Sequence, residues 1–179
     1  MAEKKPGSWV TDPEAYRKKM DDLLGQRAPL DVLSETPNRL AKIVNKTRAD
    51  IMRTRPFPEK WTPNEIIGHM SDAEWVYGYR LRQILCEDEP AVYGMDHEAW
   101  VVGQEHNNRE PSELLEMFSG LRLFNLGIWR RVKPADLARE GRHDERGRES
   151  LDTMLRMVAS HDLSHLDQIR RYVDAIPHG

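Results

Sequence analysis

At 179 residues the chain has the length of one domain, and its 39% apolar content is enough to build a core, which excludes a disordered chain. A charged fraction of 32% with 7% aromatics suits amphipathic helices better than a sheet. Lys and Arg number 27 against 30 acids, so the net charge of -3 leaves no basic surplus for phosphates, and nucleic acid is not an expected partner. The single cysteine, Cys86, forms no internal disulfide, the opening residues Met1 to Gly7 lack the apolar stretch of a secretory signal, and no apolar run reaches membrane-spanning length. The expectation is a soluble cytoplasmic protein with no membrane partner.

Prolines fall mainly between periodic segments. The polar N-terminal stretch, residues 1–30, predicts a short helix from Asp12-Pro13 to Gly25, an extension to a bundle spanning residues 31–176. Thr36-Pro37 reads as the start of a second helix, carrying Leu40, Ile43, Val44, Thr47 and Ile51 and stopping before Arg55-Pro56-Phe57-Pro58. The third opens on Thr62-Pro63-Asn64-Glu65, a capping box, and its stripe of Ile66, Met70, Ala73, Tyr77, Leu81, Ile84 and Leu85 runs to Cys86. Residues 87–110 show no sustained period, and a connection of that length points to function. A fourth helix is predicted from Pro111 to about Val132, and a polar connection from Arg139 to Gly147 leads to the last, from Ser150 to about Ile176. No segment alternates convincingly at period two, so the predicted architecture is an all-α antiparallel four-helix bundle with an extra short N-terminal helix, one end covered by the loops after the third and fourth helices.

The chemistry concentrates on histidines in the core register. His161 and His165 lie about 40° apart in azimuth and about 6 Å apart along the last helix. They continue the stripe of Leu151, Met154, Val158, Ile169 and Tyr172. His69 does the same on the third helix, between Ile66 and Ala73. Three inward imidazoles each need a partner, and one divalent metal satisfies all three; the alternative is ordinary core histidines with hydrogen-bond partners. Three nitrogen ligands with open positions suit zinc or nickel and disfavour calcium and magnesium. The His161-Asp162-Leu163-Ser164-His165 segment is similar to a zinc-protease helix, but Asp162 is one methylene short of the required base and Arg171 stands where the extended motif needs a histidine.

Taken together, Thr36-Pro37-x-Arg39-Leu40, then Trp61-Thr62-x-x-Glu65-Ile66-x-x-His69-Met70-x-Asp72-Ala73-Glu74, then Tyr93 to Trp100, Gly147-x-x-Ser150-Leu151 and His161-x-x-x-His165-Leu166-x-Gln168-Ile169 resemble the DinB/YfiT-like superfamily of metal-dependent four-helix bundles. The pieces run in family order from about Asp31 to Ile169; the one departure is Ser164, where many relatives carry a further histidine. The resemblance implies one metal, commonly zinc or nickel, on His69, His161 and His165, and a homodimer. It also implies chemistry on a small-molecule substrate, with relatives that include bacillithiol and mycothiol S-transferases and others labelled hydrolases.

Two enzymatic versions follow, activation of a bound water or of a low-molecular-weight thiol. General-base candidates are Asp72, Glu74, His97 and His106, each with a solvated helix face or loop as its plainer role. Tyr93, His97 and Trp100 are candidate substrate-binding residues, with core closure as the alternative for the two aromatics. Asp162 and Asp72 could orient the imidazoles from behind, a role not expected because adjacent helix positions such as His161 and Asp162 diverge by about 100°, and Cys86, among Glu87, Asp88 and Glu89, reads as structural. The alternative function is a non-catalytic stress or interaction protein that dimerises, with a structural metal or none.

Overall fold

A computed structural model describes residues 13–177. Asp12, the expected start of the first helix, lies outside the described residues. The helices are α1 (Pro13–Leu24), α2 (Pro29–Val44), α3 (Ala49–Met52), α4 (Pro63–Cys86), α5 (His97–Gly103), α6 (Pro111–Trp129) and α7 (Leu151–Ala175). The long helices α2, α4, α6 and α7 form a four-helix bundle, and α1 packs along α7. Close contacts join α2 to α6 and α7, and α4 to the same two helices, so the order around the bundle is α2, α6, α4, α7. The pairs α2/α4 and α6/α7 therefore stand on diagonals.

Helix boundaries follow their caps. The Thr62 hydroxyl accepts from the Glu65 amide while the Glu65 carboxylate accepts from the Thr62 amide, the predicted capping box, and Ser150 caps α7 through the Thr153 amide. Gly25, at φ +59°, turns the chain out of α1. Three expectations need correction. First, α2 starts at Pro29, about two turns earlier than Thr36-Pro37, so Pro37 lies in the helix interior. The carbonyl that Pro37 cannot serve, Leu33 O, accepts instead from Arg122 Nη1 at 3.0 Å, which lets the helix continue through the proline. Second, the helix ends at Val44, and Ile51 belongs to the separate turn α3. Third, strands are present: β1 (Ala91–Val92) pairs in parallel with β2 (Glu140–His143), which forms an antiparallel hairpin with β3 (Gly147–Ser150). These strands of two to four residues are too short to show a period, and Gly141 sits where a side chain would collide with Ile84, 2.9 Å from the position of its Cβ.

Two apolar clusters fill the bundle, one around Leu81, Ile84, Leu126, Met154 and Val158, the other around Ile66, Met70, Leu114, Phe118, Leu166 and Ile169. Between them in helical register runs a buried polar layer. Arg122 on α6, 1% exposed, binds Glu74 on α4 through Nε and Nη2 at 2.9 and 2.8 Å, and Asp162 on α7 through Nη1 and Nη2 at 2.6 and 3.1 Å. Asn125 completes the shell of Glu74 at 2.8 Å. Burial pushes the Asp162 carboxyl up from its usual range, against the pull of the guanidinium. With Leu33 O, this one side chain reaches all four bundle helices. Arg122→Met strands two buried carboxylates, and a loss of about 3–5 kcal/mol in unfolding free energy is expected by urea denaturation.

Candidate metal centre and its cavity

The register of α4 and α7 brings His69, His161 and His165 together, with one ring nitrogen from each inside a sphere of mutual distances below 4.8 Å. His69 Nε2 and His161 Nε2 are 3.0 Å apart, and the ring centroids of His161 and His165 are separated by 4.3 Å. Two donors on one tetrahedral zinc, each at about 2.0–2.1 Å, lie about 3.3 Å apart, so this donor set fits a single ion. His165 Nδ1 donates to Gln168 Oε1 at 2.8 Å, and the Gln168 amide donates to the Tyr172 hydroxyl at 3.1 Å. That chain fixes the His165 tautomer with its Nε2 lone pair free. Burial, reinforced by the neighbouring imidazoles, holds His69 and His161 well below the ordinary histidine value, and burial brings His165 down to about 4. All three rings are neutral at pH 7, the state a metal requires.

The cluster faces a cavity of about 370 Å³. Its walls come from α1 (Tyr16), the segment before α4 (Glu59, Lys60, Trp61), α4 itself (Ala73, Val76, Tyr77, Arg80), the segment entering α5 (Gly94, Met95, His97, Glu98) and the hairpin turn (Glu145, Arg146). Both loops expected to cover one end thus contribute. Trp61, 4.9 Å from the His69 ring by centroid, is held by an indole hydrogen bond to Glu98 at 3.0 Å.

Of the four proposed bases only His97 is here, its ring 5.0 Å from that of His69 and its pKa lowered, first by burial and then by the charge of Arg80. Asp72, Glu74 and His106 are neither solvated nor at the cavity. His106 Nε2 donates to Asp72 at 2.8 Å, Gln104 donates to the other Asp72 oxygen at 2.8 Å, and Glu74 belongs to Arg122. The His106 ring also packs on Gly68, where a Cβ would lie 2.2 Å from it. Among the candidate substrate-binding residues, His97 lines the cavity, whereas the Tyr93 side chain is 67% exposed and Trp100 lines a separate cleft between α4, α5 and α6. Cys86 is exposed at the end of α4 and outside the cavity, so it is not a packing residue. Sequence reasoning quoted Trp61 and Gln168 only as motif positions, without a role, and missed Arg80; the spacing of His165, Gln168 and Tyr172 on one helix face is the signal that marks the role of Gln168.

A helical bundle carrying three converging imidazoles at the floor of a cavity is the construction of a metal-binding bundle protein. The model of the DinB superfamily matches residues 33–169, and the chain belongs to that family. Two relatives whose names read putative metal-dependent hydrolase are similar to it: OB0782 of Oceanobacillus iheyensis, 26% identical over 141 residues that cover 78% of this chain and 81% of that protein, and YfiT of Bacillus subtilis, 26% identical over 93 residues that cover 51% and 52%. The solved structure of Bacillus subtilis YfiT, described as having an unusual four-helix bundle topology, superposes with a TM-score of 0.72 at 20% identity, covering 86% of this chain and 87% of that one.

A pH dependence follows from the buried rings. His165 and His143 are both held near 4 in the folded protein against about 6.5 for a free histidine, so between those values the unfolded chain binds more protons. Stability is full above pH 6.5 and falls as pH drops toward 4. Melting curves of chelator-treated protein at pH 7 and pH 5 check this, and His165→Asn is expected to shrink the drop without abolishing it, because His143, His69, His161 and His97, all lowered, remain.

Proposed function

We propose that this chain is a metal-dependent enzyme acting on a small molecule, with one divalent ion, zinc or nickel, held by His69, His161 and His165. The observation that carries this reading is the convergence of three neutral imidazoles, one of them fixed by Gln168, on the floor of an accessible cavity. When bound there, the metal stabilises negative charge on an adjacent nucleophile, a water for hydrolysis or a low-molecular-weight thiol for S-transfer. The remaining work falls to the chain itself. Gln168 and Tyr172 hold His165 in its donor tautomer, and His97, beside His69, accepts the nucleophile's proton. Trp61, Ala73, Val76 and Met95 give the cavity apolar walls that limit water around the reacting atoms.

Metal analysis by mass spectrometry of untagged protein tests the site. Near one zinc or nickel per chain is expected, lost in folded His69→Ala, His161→Ala and His165→Ala; wild type that stays metal-free after loading overturns the reading. Gln168→Ala is expected to retain the fold and weaken metal binding by about 10–100-fold. Turnover with bacillithiol, mycothiol or glutathione plus an electrophile separates S-transfer from hydrolysis, and no response to any thiol leaves the hydrolase version.

We further propose the cytoplasm as its location, consistent with its one free cysteine, and neither nucleic acid, on its net charge, nor membrane, on its lack of a long apolar run, as a partner. Among the described residues no helix is long and apolar enough to cross a membrane. A homodimer is supported by the outer side of α4 and α6, where Trp75, Tyr79, Leu123 and Phe124 are each more than half exposed and the Trp75 and Tyr79 rings stack at 6.3 Å. Sedimentation is expected to show a dimer in wild type and a monomer in Trp75→Glu. This face equally favours the second reading, a non-catalytic interaction protein, which gains if the dimer forms and no metal binds.

A further inference from the structure

The metal cavity is elongated along α4. His69 and Arg80 are separated by three turns of helix, about 16 Å of axial rise, yet only about 20° in azimuth, so they occupy the two ends of one face. Between them Ala73 and Val76 form an apolar floor, and all four residues line the cavity. Arg80 is 4% exposed, and among the described residues no carboxylate ion-pairs with it. Its Nη2 donates to the Tyr93 carbonyl and its guanidinium lies 5.2 Å from the Tyr77 ring centroid, while its Nε hydrogen is buried with no partner. The neighbouring cation differs. Arg146 is neutralised by a two-point pair with Glu149 at 2.6 and 2.8 Å.

A guanidinium stays charged in proteins, and a buried charge with an unused donor is costly unless an anion completes it. Glu149 and Asp144 act on it electrostatically, but no carboxylate among the described residues reaches ion-pair distance, and the open side is the cavity. We propose that Arg80 is a specificity-determining residue that binds a carboxylate of the substrate at the cavity end remote from the histidines. The planar donor fork of a guanidinium matches the two oxygens of a carboxylate. The substrate class is then a small molecule with a carboxylate at one end, an apolar middle over Ala73 and Val76, and its reacting group at the histidine cluster. This assignment rests on the metal-site reading given above for its orientation, but the carboxylate contact can be tested without metal.

The first arm uses cobalt-loaded protein, whose thiolate absorption band reports a thiol at the metal, titrated with a series of ω-mercapto carboxylic acids from propanoic to undecanoic and with the matching ω-mercapto alcohols. One chain length is expected to bind at least about tenfold tighter as the acid than as the alcohol, the scale of a charge-assisted hydrogen bond. The preference is expected to vanish in Arg80→Gln and return in part in Arg80→Lys. The second arm follows hexanoate and hexanol by NMR on metal-free protein, wild type and Arg80→Gln. Equal affinity for acid and alcohol in wild type in both arms, or an acid preference that survives Arg80→Gln, overturns the proposal. Arg80 acting only as a brace for the Tyr93 carbonyl alters both ligands alike and leaves their ratio unchanged, which also overturns it. Failure of the metal reading looks different: no cobalt band with any thiol, while hexanoate is still preferred over hexanol through Arg80.

Discussion

A buried guanidinium that must find its partners inside the protein governs this fold. Arg122 takes a carboxylate from α4, a carboxylate from α7 and a backbone carbonyl from α2, so none of these helices can rotate or slide without leaving a charge or a polar group unmet. Glu74 stands five residues beyond His69, about 140° around α4, and Asp162 follows His161 by one residue, about 100° around α7. The carboxylates held by Arg122 thus occupy a different face of each helix from the imidazoles, which line the cavity. The ion network sets the angle and height at which the two histidine-bearing helices meet, and the histidine cluster inherits its geometry from a contact it does not share.

Much of this was legible in the amino-acid sequence because helices announce themselves by period and cap. Thr62 with Glu65, Ser150, and the stripes of α4 and α7 located both histidine helices to within a residue. His69, His161 and His165 were found because polar residues in an apolar register need a reason. The same reasoning applied to Arg122, in step with Phe118 and Leu126, would have found the polar layer; charge disguised it, since arginine is usually read as solvent-facing. Asp72 and Glu74 were misjudged on the same ground. Pro37 was misread as a helix start because local chemistry cannot reveal a donor arriving from another helix. The hairpin escaped because a strand of four residues containing a glycine carries no usable period.

The cavity divides its tasks between rigid and variable elements. Its floor is helical, with donor atoms on α4 and α7 held by packing on both sides. Its rim is built from the segment before α4, the segment entering α5, and the hairpin turn at Glu145 and Arg146, none of which contributes to the buried ion network. The rim can therefore vary in sequence without disturbing the helices that carry the imidazoles and Arg80, as loops above a stable scaffold commonly do. Ser150 joins the two parts directly, ending β3 and capping α7, so that the hairpin is carried rigidly by the helix that bears His161 and His165.

The interior proline gives this architecture a direction in time. As the chain leaves the ribosome, α2 emerges with an unserved carbonyl at Leu33, whose donor lies 89 residues later, and Arg122 in turn waits for Asp162 on the final helix. Water can satisfy that carbonyl only while α2 remains undocked, so full native packing of the first bundle helix needs the segment that carries Arg122. His161 and His165 lie on α7 itself, so the three-imidazole cluster can assemble only once that last helix of the bundle is present.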